Sequence, residues 1–315
     1  MKLGLVLGAG GVVGMSYHAG VLHALVEEGG IDVCGADLVV GTSAGSVVGS
    51  LLRSGWTARD CWDFVHQDDT VAQFERVTGS PLAQAARAVG SAYVATRSVL
   101  KVPAPRVPGF VARRFPAGVY GNRDLRARLA EVLPDDWPDD PLWLVAVDVQ
   151  TGRRVVLRKR GSTGATLHQA VLASCAIPGV FPPVAVGRRV LVDGGAHSTT
   201  HLDLAATWGC DAIIGIVPMA FDPTSRPDAL NRVVRRTPAR SIGRETRFAR
   251  ARGAEVLLVR PSAEELRVHG LDMMRPSDTA AIAAAAYERT ARLLETPRFA
   301  RLTGGRATAA PEAAA

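Results

Sequence analysis

Short runs of apolar residues, closed by glycine or aspartate, recur along the chain. Leu3-Gly4-Leu5-Val6-Leu7, Ala36–Val40, Leu142–Val147, Arg153–Leu157, Val190–Val192, Ala212–Val217 and Glu255–Val259 read as strands, several of them apolar throughout. Between them lie segments with helical spacing. Gly14–Glu28 carries Met15, Ala19, Leu22 and Val26 on one face and stops at Gly29-Gly30. Ala44–Arg53 stops at Gly55, and Thr166–Cys175, Leu202–Gly209, an arginine-rich stretch before Glu255 and the alanine-rich Thr279–Glu295 complete the set. Fully apolar strands alternating with helices predict an α/β fold, a largely parallel central sheet covered on both faces. The chain shows no internal repeat and no dividing linker, so residues 1–302 are expected to form a single domain. Within it, 57–130 reads as a variable, flexible or lid-like region, and the composition of 303–315 predicts a disordered tail.

Composition narrows the class. With 315 residues, 47% hydrophobic and 21% charged, the chain is neither disordered nor collagen-like and can bury a large core. Its four cysteines form no CxxC pair, which fits reduced thiols and a cytoplasmic location. The run Ala205–Phe221 is interrupted by Asp211, so a membrane-spanning helix is not expected. Lys2 followed by Leu3–Met15 imitates a secretory signal, but its five glycines favour a strand and tight turn over a cleaved helix. The net charge of +7 is unevenly placed. Arg76 to Arg123 holds eight basic and no acidic residues, interleaved with Tyr93, Val99, Phe110 and Phe115, which suggests peripheral contact with anionic membrane. Arg226 to Arg260 holds ten arginines against three acids. No nucleic-acid-binding motif accompanies this charge, and nucleic acid is not expected as a partner.

Three segments carry candidate chemistry. Gly41-Thr42-Ser43-Ala44-Gly45 follows an apolar run and opens a helix. A strand feeding a sharp turn pushes Ser43 outward, the flanking glycines allow the bend, and the helix N-terminus favours negative charge there. Gly8-Ala9-Gly10-Gly11-Val12-Val13-Gly14 also follows a strand and opens a helix, so its N–H groups could converge on an anion. It suits an oxyanion hole or a dinucleotide cradle; its glycines miss G-x-G-x-x-G but match the looser G-x-G-x-x-x-G through Gly8, Gly10 and Gly14, which alone favours a nucleotide, and the serine turn close behind tips the reading toward acyl chemistry. Third, Val190-Leu191-Val192 delivers Asp193 at a strand end, followed by Gly194 and Gly195.

Together these segments resemble the patatin-like phospholipases, in order and spacing, from the N-terminus to about residue 220. Gly8–Gly14 is similar to the family's oxyanion loop, Gly41–Gly45 to its nucleophile elbow, and Asp193-Gly194-Gly195 falls where its aspartate does. Ala146–Gly152 and the block Ala173–Pro183 also match. The resemblance implies a three-layer α/β/α fold and hydrolysis of lipid carboxylic esters by a Ser43–Asp193 dyad. The N–H groups of Gly10, Gly11 and Val12 would form the oxyanion hole, with no cofactor and no metal. One departure is Val13, where many members carry arginine or lysine; its loss could lower activity or change substrate preference.

Other readings compete. A member that kept the fold could bind lipid without turnover, and the Gly8–Gly14 loop could serve a nucleotide-dependent enzyme with Asp32 or Asp37 on the ribose. Asp148 is a rival base, although its Asp-x-x-Thr-Gly context suits a turn. His197 and His201, with Asp203, have the spacing of a zinc pair and third ligand, and His197 lies near enough to Asp193 to be weighed for a triad.

Overall fold

The computed structural model describes residues 1–67, 122–161, 163–275, 277–297 and 299. Most of the variable region and of the basic segment 76–123, and the whole tail 303–315, lie outside the described residues. In chain order the elements are β1 (Leu3–Leu7), α1 (Gly11–Glu27), β2 (Leu38–Gly41), α2 (Ala44–Arg53), α3 (Ala58–His66) and α4 (Asn122–Val132). There follow β3 (Leu142–Asp148), β4 (Arg154–Leu157), α5 (Leu167–Ser174), β5 (Val184–Val186), β6 (Arg189–Asp193) and a 3-10 turn at Gly194–Ala196. The rest comprises α6 (Asp203–Trp208), β7 (Ala212–Ile216), α7 (Ala229–Val234), α8 (Arg236–Ala251), β8 (Glu255–Val259), α9 (Ala263–His269) and α10 (Thr279–Leu294). The sequence pattern did not anticipate β5 or α9, and it placed the start of α1 three residues late. No described helix is long and apolar enough to cross a membrane.

Strands β3, β2, β1, β7 and β8 are parallel neighbours in that order. Alternate residues serve opposite faces of this sheet. Leu5, Leu7, Val39, Leu144, Ile214 and Leu257 join the apolar layer that contains α1, α2, α5 and α10. Val6, Val40, Val145, Ile213 and Val256 join the layer of α6 and α8. The sheet is therefore covered on both faces, as a parallel sheet of apolar strands requires.

The antiparallel part of the sheet positions the site. Leu144 of β3 pairs with both Gly41 of β2 and Leu157 of β4, while Ala146 pairs with both Asp193 of β6 and Val155 of β4. A strand has two edges. Because β4 occupies one of them along this length, β2 and β6 must share the other. β2 runs parallel to β3 and β6 runs antiparallel, so their C-terminal ends meet head to head. Gly41 and Asp193 lie opposite β3 residues only two apart, roughly 7 Å of strand.

Helix α1 is buried because α10 closes over it. The contact depends on Gly20: a Cβ there would lie 2.1 Å from the carbonyl oxygen of Ala283. Gly20→Ala would gain up to about 1 kcal/mol of helix propensity, but overpacking two backbone segments costs about 1–3 kcal/mol or more. The clash wins, and Gly20→Ala is expected to lower the midpoint of denaturant unfolding. A raised midpoint would contradict this packing.

Candidate active site

The turn after β2 is tight because two backbones touch. A Cβ on Gly45 would lie 2.0 Å from the carbonyl oxygen of Leu7, and one on Gly41 would lie 2.6 Å from that of Gly45. The turn is tied to β1 by the Thr42 N–H, which donates to Leu7 O at 3.0 Å. Ser43 has φ 52° and ψ −120°, a region that costs a non-glycine residue about 1–3 kcal/mol. Its surroundings hold that conformation in place. The Ser43 N–H donates to Ser174 Oγ at 3.0 Å, and Ser174 Oγ donates onward to Val145 O at 2.7 Å. The Ser43 carbonyl accepts from the Ser46 N–H and the Ser46 hydroxyl. Ser174 thus braces the turn from α5, a role its sequence position does not reveal. Ser43 immediately precedes α2, at the helix's positive end.

Asp193 ends β6, and its carboxylate accepts the Gly195 N–H at 2.6 Å. Gly194 is required beside it, since a Cβ there would lie 2.4 Å from Val145 O. Burial raises the Asp193 pKa to about 6, against the lowering effect of hydrogen bonds from the Ser43 side chain and the Gly195 N–H. Ser43 and Asp193 are each 5% exposed and open into the same cavity of about 190 Å³. Its wall is mainly apolar, and Ile177, Val180, Met219 and Met274 line it together with Gly10 and Gly11.

Accounting for the N–H groups of the glycine loop separates two sets. Gly8 donates to Ile216 O, Ala9 to Thr199 O, Val13 to Met273 O and Gly14 to Gly10 O. Gly10, Gly11 and Val12 sit at the start of α1, where N–H groups lack intrahelical acceptors, and they have no hydrogen-bond partner among the described residues. Space and conformation both demand glycine here. A Cβ on Gly10 would lie 2.6 Å from the Gly14 Cα, and Gly11 has φ +59°. The Val13 side chain is fully buried in the layer of α1 and α10.

Three polar residues that the sequence pattern did not single out, the buried His18 and Arg235 and the partly buried Glu245, support this arrangement. His18 Nε2 lies 2.8 Å from Gly8 O; burial lowers its pKa to about 4, so the neutral ring donates to the loop. Glu245 of α8 accepts from the Ser198 and Thr200 hydroxyls and the Leu202 N–H, which fixes the segment that carries Thr199. Arg235 is 2% exposed and lines the cavity, and burial lowers its pKa to about 10. It donates to Pro218 O at 2.6 Å and contacts Met273 Sδ at 3.6 Å. A Cβ on Gly10 would meet Pro218, and Met273 O accepts from Val13, so Arg235 braces both segments that touch the loop.

The rival residues fall elsewhere. Asp148 accepts the Gln150 N–H and pairs with Arg189 at 3.6 Å, and it does not line the cavity. The His197 and His201 rings lie 5.4 Å apart, but Asp203 is ion-paired with Arg154 at 2.6 Å. Among the described residues, no three ligating side chains gather into a metal-sized group.

Burying Asp193 has a sign that can be measured. Its folded pKa of about 6 stands above the ordinary 3.8, so the ionised form costs stability above pH 6, and the cost vanishes as pH falls through 4. The size is about 3 kcal/mol. His18 and His269, with pKa values lowered to about 4 and about 3, act oppositely and lose stability below pH 6.5 in any variant. The difference between Asp193→Asn and the parent isolates the carboxylate. Asp193→Asn should be the more stable protein at about pH 8, with the advantage shrinking by about 3 kcal/mol toward pH 4 in urea titrations. A pH-independent difference would mean that Asp193 is not buried as charge.

The family model described as patatin-like phospholipase matches residues 5–206. An uncharacterized NTE family protein of Mycobacterium bovis is 31% identical over 195 residues, covering 62% of this chain and 26% of that protein. Lysophospholipase nte1 of Aspergillus fumigatus is 29% identical over 214 residues, covering 68% of this chain and 12% of that protein. The chain therefore spans about a quarter or less of these two relatives. Among solved structures, VipD from Legionella pneumophila is similar with a TM-score of 0.41 and 15% identity, over 93% of this chain and 66% of that one. The matched segment runs from β1, through the glycine loop, the Ser43 turn and Asp193, into α6, and on that match over more than half its length the chain belongs to the patatin-like phospholipase family.

Proposed function

We propose that the protein hydrolyses carboxylic esters of phospholipids or related lipids through an acyl-serine intermediate. The observation that carries this reading is the convergence of Ser43, Asp193, Gly10 and Gly11 on one mainly apolar cavity, where the N–H groups of Gly10 and Gly11, like that of the adjoining Val12, have no partner among the described residues. Asp193 takes the proton as Ser43 Oγ attacks the ester carbonyl. The carbonyl oxygen becomes an oxyanion held by the loop N–H groups, and one such donor is typically worth about 2.7–4 kcal/mol of barrier. The proton passes from Asp193 to the departing alcohol, which leaves the acyl group on Ser43. Water then gives a proton to the same carboxylate and attacks the acyl carbon, and the proton returns to Ser43 as the fatty acid leaves.

Arg235 contributes fixed positive charge to the cavity without contacting the reacting atoms. It supplies a cation to the site in a chain that has Val13 where many family members carry a basic residue. The apolar wall of Ile177, Val180, Met219 and Met274 suits an acyl chain. The name of the fungal relative makes a lysophospholipid one reasonable substrate to test, and membrane contact through segment 76–123 remains part of the proposal. Lipid binding without turnover is the second reading, and turnover decides between them.

A fluorophosphonate probe should label the parent, and Ser43→Ala should abolish labelling. Persistent labelling of that variant would mean a different nucleophile, and an unlabelled, folded parent would favour binding without catalysis. Asp193→Asn should lower turnover by about 10²–10⁴-fold, the usual worth of a general base. Because Asp193 must be ionised to act, kcat/KM should fall on the acid side with an apparent pKa of about 6. Gly10→Ala, which pushes the loop off Gly14, should cost about 10²–10³-fold in kcat.

A further inference from the structure

The ten arginines between residues 226 and 260 are not spread evenly in space. Arg236, Arg240, Arg244 and Arg247 recur along α8 at intervals that place them on one helix face, and all four are exposed, as is Arg232 on α7. None of the five is in an ion pair among the described residues. The carboxylate of α8, Glu245, faces inward to Ser198 and Thr200 and offers this row no compensation. The exposed Asp228 is occupied as the N-cap of α7.

Beside the row stand exposed aliphatic side chains. Leu230 and Val233 of α7 are 55% and 46% exposed, and Leu271 is 41% exposed. This surface is continuous with the opening of the cavity that holds Ser43, because Thr237, Arg244 and Leu271 belong to both. Cations in a row with protruding aliphatic groups match a bilayer that presents anionic headgroups over hydrocarbon. A nucleic acid would use the cations alone.

We infer that the exposed face of α7 and α8 is a docking surface for anionic lipid bilayers and sets the cavity mouth against them. The claim about the mouth rests on the ester hydrolase reading; the docking itself does not. Binding is therefore measured with Ser43→Ala protein, by flotation with vesicles of phosphatidylcholine alone or mixed with phosphatidylglycerol. The expected result is binding to the mixed vesicles that raised salt weakens, and little to the neutral ones. Replacing Arg236, Arg240 and Arg247 by Gln should weaken binding to mixed vesicles roughly 100-fold, about fivefold per arginine. Leu230→Ser with Val233→Ser should weaken it at least about tenfold.

With Ser43 intact, the arginine variant should hydrolyse a short water-soluble ester as the parent does. A parent that binds mixed vesicles but cleaves no ester would overturn the hydrolase reading and leave docking standing. Equal binding to neutral and anionic vesicles would overturn the docking surface. So would full retention of binding by either multiple variant, or displacement of vesicles by a DNA duplex.

Discussion

The site depends on two strands ending against each other on one edge of β3. β2 runs up that edge from one side and β6 runs down it from the other, and the register leaves a single β3 residue, Val145, between the partners of their tips. A serine that follows one tip and an aspartate that forms the other are thereby held at hydrogen-bonding reach by main-chain ladders. An all-parallel sheet would carry both strand ends to the same side, but in separate rows. The antiparallel return of β5 and β6 is what turns two strand ends into one site.

Burial then sets the chemistry available there. A carboxylate at the base of an apolar cavity loses hydration and becomes more basic, which explains the pKa of about 6 for Asp193. The same low-dielectric surroundings strengthen the field of the helix N-termini behind Ser43 and in the glycine loop. They also make the site costly to fold. Ser43 occupies a strained conformation, Arg235 is a buried cation held by carbonyl oxygens and a thioether, and Glu245 is a partly buried carboxylate held by hydroxyls and one N–H. Each cost persists because a dense set of hydrogen bonds leaves the local backbone no alternative.

The supports come from all along the chain. Ser174 of α5 holds the Ser43 turn, His18 of α1 holds the start of the glycine loop, and Glu245 of α8 holds the segment that receives Ala9. Arg235 links the segments after β7 and before α10 to the same loop. The glycine loop, whose Gly10, Gly11 and Val12 N–H groups have no partner among the described residues, is thus held in place by hydrogen bonds to the segments on either side of it.

Much of the scaffold was legible in the residue pattern. Apolar runs closed by glycine marked six sheet strands and β4, and local rules of turn and helix initiation singled out Ser43, Asp193 and the loop of Gly10, Gly11 and Val12. These features are written within a few consecutive residues, because glycine spacing and apolar runs act locally. β5 escaped notice because three residues carry too little pattern, and α9 because its apolar face is short. The brace of Ser174, the clamp of His18, the latch of Glu245 and the buried Arg235 were not legible. Their partners lie 10 to 131 positions away in the chain, and a serine, histidine or arginine reads the same in sequence whether it is solvated or buried against a carbonyl. Local sequence determined which turns could form and which groups they would present. Only the tertiary fold decided that two of those turns face each other, because strand direction and register are set by the packing of the whole sheet.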